Sequence, residues 1–95
     1  MTPPDRAVIY RREQVRILPL YQRGIAGCLH RDAHEASEAL IELILTLNFE
    51  YEDAAGELFS LYDLCLRKVK AGRFDVVGQI LHDLRAAWMG PMTAR

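Results

Sequence analysis

The stretch that decides the fold is LFSLYDLCLRKV, residues 58–69. Four of its apolar residues recur at i, i+4, i+7 and i+11, which is the spacing of one face of an α-helix. These residues are Leu58, Tyr62, Cys65 and Val69. Because further leucines and Phe59 widen the apolar face around the cylinder, the stretch predicts a helix covered on most of its sides, the central helix of a bundle.

Capping signals mark where the neighbouring helices begin and end. Asp32, followed by Glu35 three residues later, has the capping-box pattern of a helix start. Gly72 is placed to end the helix of residues 58–69 in the left-handed conformation. We expect Asp75 to cap the last helix and Gly90-Pro91 to end it.

The N-terminal part has a weaker helical pattern. Residues 1–18 are predicted to form an arm or a weak helix, because charged side chains interrupt the apolar stripe. Pro19 removes a backbone donor and disfavours a smooth continuation, so we expect the first helix to be kinked or split there. Gly24 and Gly27 could let a neighbouring helix come close. The predicted fold is all-α: an antiparallel bundle of about four helices.

The composition describes one small domain, residues 1–95. The chain is 51% hydrophobic and 26% charged, with a formal net charge of −1, and this balance argues against nucleic-acid binding. The apolar runs are too short for membrane insertion, and no signal peptide is visible. Because Cys28 and Cys65 fall within helical apolar patterns, we expect reduced thiols in a cytoplasmic protein.

Catalytic and metal chemistry is a poor match to the sequence. The soft ligands are Cys28, His30, His34 and His82, and their spacing does not suit a closed zinc site. Burial would raise the pKa of either thiol and would work against a nucleophile. We therefore predict no enzyme activity, no metal and no cofactor.

The chain has more large apolar residues than a bundle of four slender helices can easily bury. A wide core is the interpretation favoured by the pattern alone. The alternatives are a hydrophobic groove for a partner helix and the face of a homodimer.

Residues 55–88 contain an ordered series of short motifs: Leu61-Tyr62-Asp63-Leu64, Arg67-Lys68, Ala71-Gly72, Asp75 and Leu84-Arg85-Ala86-Ala87-Trp88. In their order and spacing these motifs resemble the C-terminal half of the flagellin-export chaperone family (FliS). Upstream, residues 42–48 are similar to the end of a family helix, and the spacing of Tyr10 and Val15 is similar to the family's N-terminal pattern. The chain departs from the pattern at Leu64, where the family has a second tyrosine, and residues 21–47 make it a shortened member.

The resemblance implies a cytoplasmic helical chaperone for the C-terminal helical segment of flagellin. Such a protein prevents premature polymerisation of flagellin and assists its export, with the flagellar export gate as a further partner. The alternative function is a homodimeric helical adaptor or assembly factor without a flagellin client.

Six residues are candidates for contact with the client: Tyr10, Val15, Ile41, Leu45, Tyr62 and Leu64. Ile41, Leu45 and Leu64 project off the main apolar stripes and are the stronger candidates. Tyr10 and Val15 either lie over a groove when no client is present or simply cover the core. For Tyr62, a place in the core is favoured over a place in the groove.

Overall fold

The computed structural model describes residues 6–47 and 55–93, with side chains described for 15–47 and 55–89. The chain forms four helices: α1 (Arg6–Leu29), α2 (Ala33–Leu45), α3 (Ala55–Lys70) and α4 (Phe74–Thr93). The described ranges contain no strand, which confirms the all-α prediction. None of these helices is both long enough and apolar enough to cross a membrane.

The four helices occupy the four corners of the bundle, each in contact with two neighbours. α1 packs against α2 and α4, and α3 packs against the same two helices. Across the described part of the chain, no Cα atoms of α1 and α3 come within 8 Å of each other, so these two helices are diagonal. On α1, Gly24 and Gly27 face Ala39 and Ala36 of α2, in that order. This reversed order shows that α1 and α2 are antiparallel.

α1 runs through Pro19 as one helix, so of the two alternatives expected there the chain is not split. A proline in a helix leaves the carbonyl four residues earlier, here that of Val15, without its usual donor. Since Val15 and Pro19 are both exposed, water can hydrate that carbonyl. Ile17 and Tyr21 are buried on either side of the proline, and their packing keeps both turns on the bundle. Residues 6–18 therefore belong to α1.

Two of the predicted helix ends are confirmed. The Asp32 carboxylate accepts a hydrogen bond of 3.1 Å from the backbone N–H of Glu35 and caps α2. Gly72 has a φ of +77°, the left-handed conformation that favours glycine. The N–H of Arg73 then donates to the carbonyl of Lys68 over 2.9 Å, which closes the last turn of α3.

The two predicted limits of the last helix are wrong. α4 begins at Phe74, so Asp75 lies inside its first turn, where it favours the positive end of the helix dipole instead of capping it. α4 also continues through Gly90-Pro91 to Thr93. Close to a helix end, a proline removes only one of the last backbone hydrogen bonds. A glycine lowers the helix propensity by about 1 kcal/mol, which is too little to end a helix by itself.

α3 is a corner helix, contrary to the expectation of a helix covered on most sides. Its predicted stripe is correct, since Tyr62, Cys65 and Val69 are buried in the common core. Phe59 and Leu64 are exposed, because α3 has neighbours on two sides only. The core also contains residues from the other three helices: Ile17, Tyr21, Cys28, Ala36, Leu40, Leu43, Val77 and Leu81.

Candidate functional site

Four of the six candidate contact residues are exposed apolar side chains. Val15, Ile41, Leu45 and Leu64 leave between 41% and 75% of their surface uncovered. A large apolar group in water is unfavourable in proportion to its area. These residues therefore have the exposure that client contact requires.

The structure does not bring these four residues together into one groove. Val15 lies on α1 and Leu64 on α3, and these helices are diagonal. Leu64 is two residues, about 200°, away from the buried Tyr62 around its helix, so it points away from the bundle. Ile41 and Leu45 do share a face of α2, because they are one turn apart. We call this pair the α2 patch.

A small cleft adjoins the α2 patch between α1 and α2. It has a volume of about 360 Å³ and is lined by Arg16, Leu20, Glu42, Leu45 and Thr46. Leu45 belongs both to the patch and to the wall of this cleft. A partner side chain could therefore enter beside Leu45 while its helix covers Ile41.

Tyr62 is in the core, the place favoured for it from the sequence. It is 1% exposed, and its hydroxyl shares a hydrogen bond of 2.6 Å with the hydroxyl of Tyr21. The indole N–H of Trp88 donates to the same Tyr21 oxygen over 3.1 Å. The three side chains link α1, α3 and α4, so Tyr62 holds the bundle together and does not line an open surface.

Tyr10 lies outside the described side chains, although its backbone belongs to α1. Its predicted role as a groove cover stays a prediction.

An ion-pair cluster between α1 and α2 was not predicted from the sequence. The guanidinium of Arg23 donates to Glu35 over 2.8 Å, to Glu38 over 3.1 Å and also to Glu42. The hydrogen bonds that Arg23 donates to Glu35 and Glu42 raise the pKa of Arg23 above its ordinary value. The spacing of the glutamates, i, i+3 and i+7, was a usable signal, because it places three carboxylates on one helix face. Glu38 and Glu42 are exposed and Arg23 and Glu35 are partly exposed, so the cluster orients the two helices more than it stabilises them.

The two cysteines are free, buried thiols, as predicted. Burial raises the pKa of Cys28, and burial together with the charge of a Cys28 thiolate raises the pKa of Cys65 to about 11. Cys28 is on α1 and Cys65 on α3, and no Cα atoms of these two described helices lie within 8 Å. A disulfide needs Cα atoms closer than about 7 Å, so the folded chain cannot join them without moving its backbone.

We expect both thiols to react slowly with a thiol-specific reagent at pH 8 and rapidly after denaturation, because the reactive thiolate is disfavoured by burial. The folded protein holds the Cys65 proton more tightly than the unfolded chain. Its contribution to stability is therefore complete below pH 9.0 and is lost as the pH rises toward about 11. Reagent titration of native and denatured protein measures the difference in labelling rate. Rapid labelling of both cysteines in the native protein would contradict the predicted protection.

Metal-ligating side chains do not converge in the described part of the chain. Within residues 15–47 and 55–89, no three histidine, cysteine, aspartate or glutamate side chains are grouped to hold a metal ion. The nearest approach to such chemistry is the acidic face of α2, whose carboxylates are bound to Arg23.

A larger cleft lies between the end of α1 and the start of α4. We call it the α1/α4 cleft. It has a volume of about 510 Å³ and is lined by Ile25, Cys28, Leu29, Arg31, Phe74, Asp75, Gly78, Gln79 and His82. This cleft was not predicted from the sequence, although Ile25, Cys28 and Leu29 have the spacing of one helix face.

Compared with known proteins, the chain matches no family model, no curated protein and no solved structure. The function proposed below is therefore supported by the residues of this chain and by the resemblance described above.

Proposed function

We propose that this protein is a chaperone that binds the C-terminal helical segment of flagellin, keeps it from polymerising early and assists its export. The observation that carries the proposal is the α2 patch. Ile41 and Leu45 are 48% and 75% exposed on the same face of one helix, and a cleft opens beside Leu45. The resemblance of residues 55–88 to the flagellin-export chaperones supplies the identity of the client, and the cytoplasm is its proposed location.

The physical basis is the recognition of a helix by apolar anchors. A client helix lays its apolar face on exposed side chains spaced one turn apart, and it gains the free energy of covering them. A client that is disordered before binding loses conformational entropy as it folds. Its affinity is therefore lower than its contact area suggests, and a chaperone that must release its client benefits from this.

Calorimetric titration with a peptide from the C-terminus of the same organism's flagellin tests the proposal. We expect micromolar or tighter binding with a negative heat-capacity change and a gain of helix, the signature of apolar burial coupled to folding. The Leu45→Asp variant should weaken binding about tenfold or more, because it places a charge where an apolar contact is made.

Two control variants make this titration specific. Leu45→Met keeps the apolar contact and should bind nearly as the original protein does. Ser60→Asp adds the same charge at an exposed position of α3 and should leave the affinity unchanged. Equal binding by Leu45→Asp, with its helix content intact, would place the client elsewhere. No binding by the folded protein would favour the homodimeric adaptor, which a concentration-dependent mass measurement would then reveal.

A further inference from the structure

We propose that the α1/α4 cleft is a docking groove for an amphipathic helix that carries acidic side chains beside its apolar ridge. The proposal uses residues that lie apart from the α2 patch, and it holds whether or not the client of that patch is flagellin.

The shape of the cleft suits a helix. α1 and α4 are antiparallel, since Gly24 faces Leu81 and Cys28 faces Gly78. Two adjacent helices leave a groove between them that the side-chain ridge of a third helix can fill. Gly78 has no side chain to close this groove next to Cys28, and the resulting space of about 510 Å³ is ample for several apolar side chains.

The walls of the cleft are apolar where a ridge would lie. Ile25, Cys28 and Leu29 occur at i, i+3 and i+4 on α1, and Phe74 closes the end on α4. Leu29 is 77% exposed, more than any other large apolar side chain that the structure describes. A helix in the groove would remove this surface from water, and this supplies the driving force for docking.

The charges at one end of the cleft select the partner. The Arg31 guanidinium lies 5.4 Å from the centroid of the Phe74 ring, and Lys70 and Arg73 are exposed on the adjoining turn. Among the described residues, no carboxylate forms an ion pair with any of these three cations. The two nearby acids are stabilised at helix N-termini, since Asp32 caps α2 and Asp75 lies in the first turn of α4. The three cations against the two acids leave one positive charge in excess at this end of the cleft, which favours an acidic occupant.

Two synthetic peptides test the proposal directly. Both are helix-forming chains of about 18 residues with the same leucine ridge, and they differ only in flanking glutamates or flanking lysines. Binding is measured by fluorescence anisotropy. We expect the glutamate peptide to bind about tenfold more tightly than the lysine peptide, and the Arg31→Glu variant to lose this preference.

A matched pair of variants locates the binding. Gly78→Phe fills the cleft and should abolish binding, whereas Gly56→Phe adds the same ring to open space on α3 and should leave binding unchanged. Arg31→Glu changes an exposed side chain and no buried one, so it decides the question even if Gly78→Phe fails to fold. Equal affinity for the two peptides, or binding that survives in folded Gly78→Phe, would overturn the proposal. So would self-association of the protein that the glutamate peptide cannot displace, since a second copy would then cover the cleft.

Discussion

Replacing Gly27 with alanine is expected to lower the free energy of unfolding by about 1–2 kcal/mol, because overpacking a close contact costs about 2–3 kcal/mol and the gain in helix propensity returns about 1 kcal/mol. A Cβ at this position would lie 2.8 Å from the backbone N and 3.1 Å from the Cα of Ala36. Backbone atoms cannot rotate away, so the start of α2 would have to shift. The gain in helix propensity, about 1 kcal/mol, offsets only part of this cost. For a domain of this size the melting temperature should fall by about 10 °C.

The same substitution at Gly78 is the matched control. There, a Cβ would lie 3.5 Å from the Cβ of Cys28, an ordinary contact. We expect Gly78→Ala to be neutral or to stabilise the protein by up to about 1 kcal/mol, because it improves helix propensity without a clash. Urea denaturation followed by circular dichroism measures both variants. A stabilised Gly27→Ala protein would show that α1 and α2 are farther apart than described here.

Replacing Leu81 with alanine is expected to cost about 3 kcal/mol, within the range for removing a buried leucine side chain. Leu81 is fully buried in the core formed by the four helices. Its removal leaves a cavity next to Gly24, because the Leu81 Cδ1 atom lies 2.8 Å from the position of a Cβ on Gly24. Urea denaturation gives the change in unfolding free energy.

A double-mutant cycle tests this contact, because the effect of Gly24→Ala on stability should depend on whether Leu81 is present. In the original protein, the new Cβ of Gly24→Ala clashes with the end of the flexible Leu81 side chain. This clash cancels the gain in helix propensity of about 1 kcal/mol, so the substitution alone should leave the stability nearly unchanged. In the Leu81→Ala background the clash is gone and the new methyl group fills part of the cavity. Gly24→Ala should then stabilise the protein, with a coupling energy of about 1 kcal/mol or more. Additive effects would mean that the two positions do not touch.

The features predicted correctly from the sequence are those that depend on short-range spacing. The Asp32 cap and the left-handed Gly72 each follow from a few adjacent residues. The buried stripe of α3 follows from helical periodicity, which depends only on the geometry of one helix. The predictions that Ile41, Leu45 and Leu64 lie off the main stripes agree with their exposure for the same reason.

The features that were missed depend on how the helices meet. Whether Phe59 is covered depends on how many neighbours α3 has, and the periodicity of α3 contains no information on that. The hydrogen bond between Tyr21 and Tyr62 joins residues 41 positions apart, and the α1/α4 cleft is lined by residues of two helices that are distant in the sequence. The dispersal of Val15, Leu45 and Leu64 over different sides follows from the diagonal placement of α1 and α3, which local patterns do not specify.

The pairing of the first helix with the last has a consequence for synthesis on the ribosome. α1 packs against α4, and the Trp88 indole that binds Tyr21 comes 67 residues after it in the chain. α1 must therefore leave the ribosome and wait, with Ile17 and Tyr21 uncovered on that side, until α4 has been synthesised. A chain interrupted before α4 would keep this surface open permanently, and we expect such a product to aggregate or to be degraded. Quality control of this protein thus depends on α4 as much as on α1.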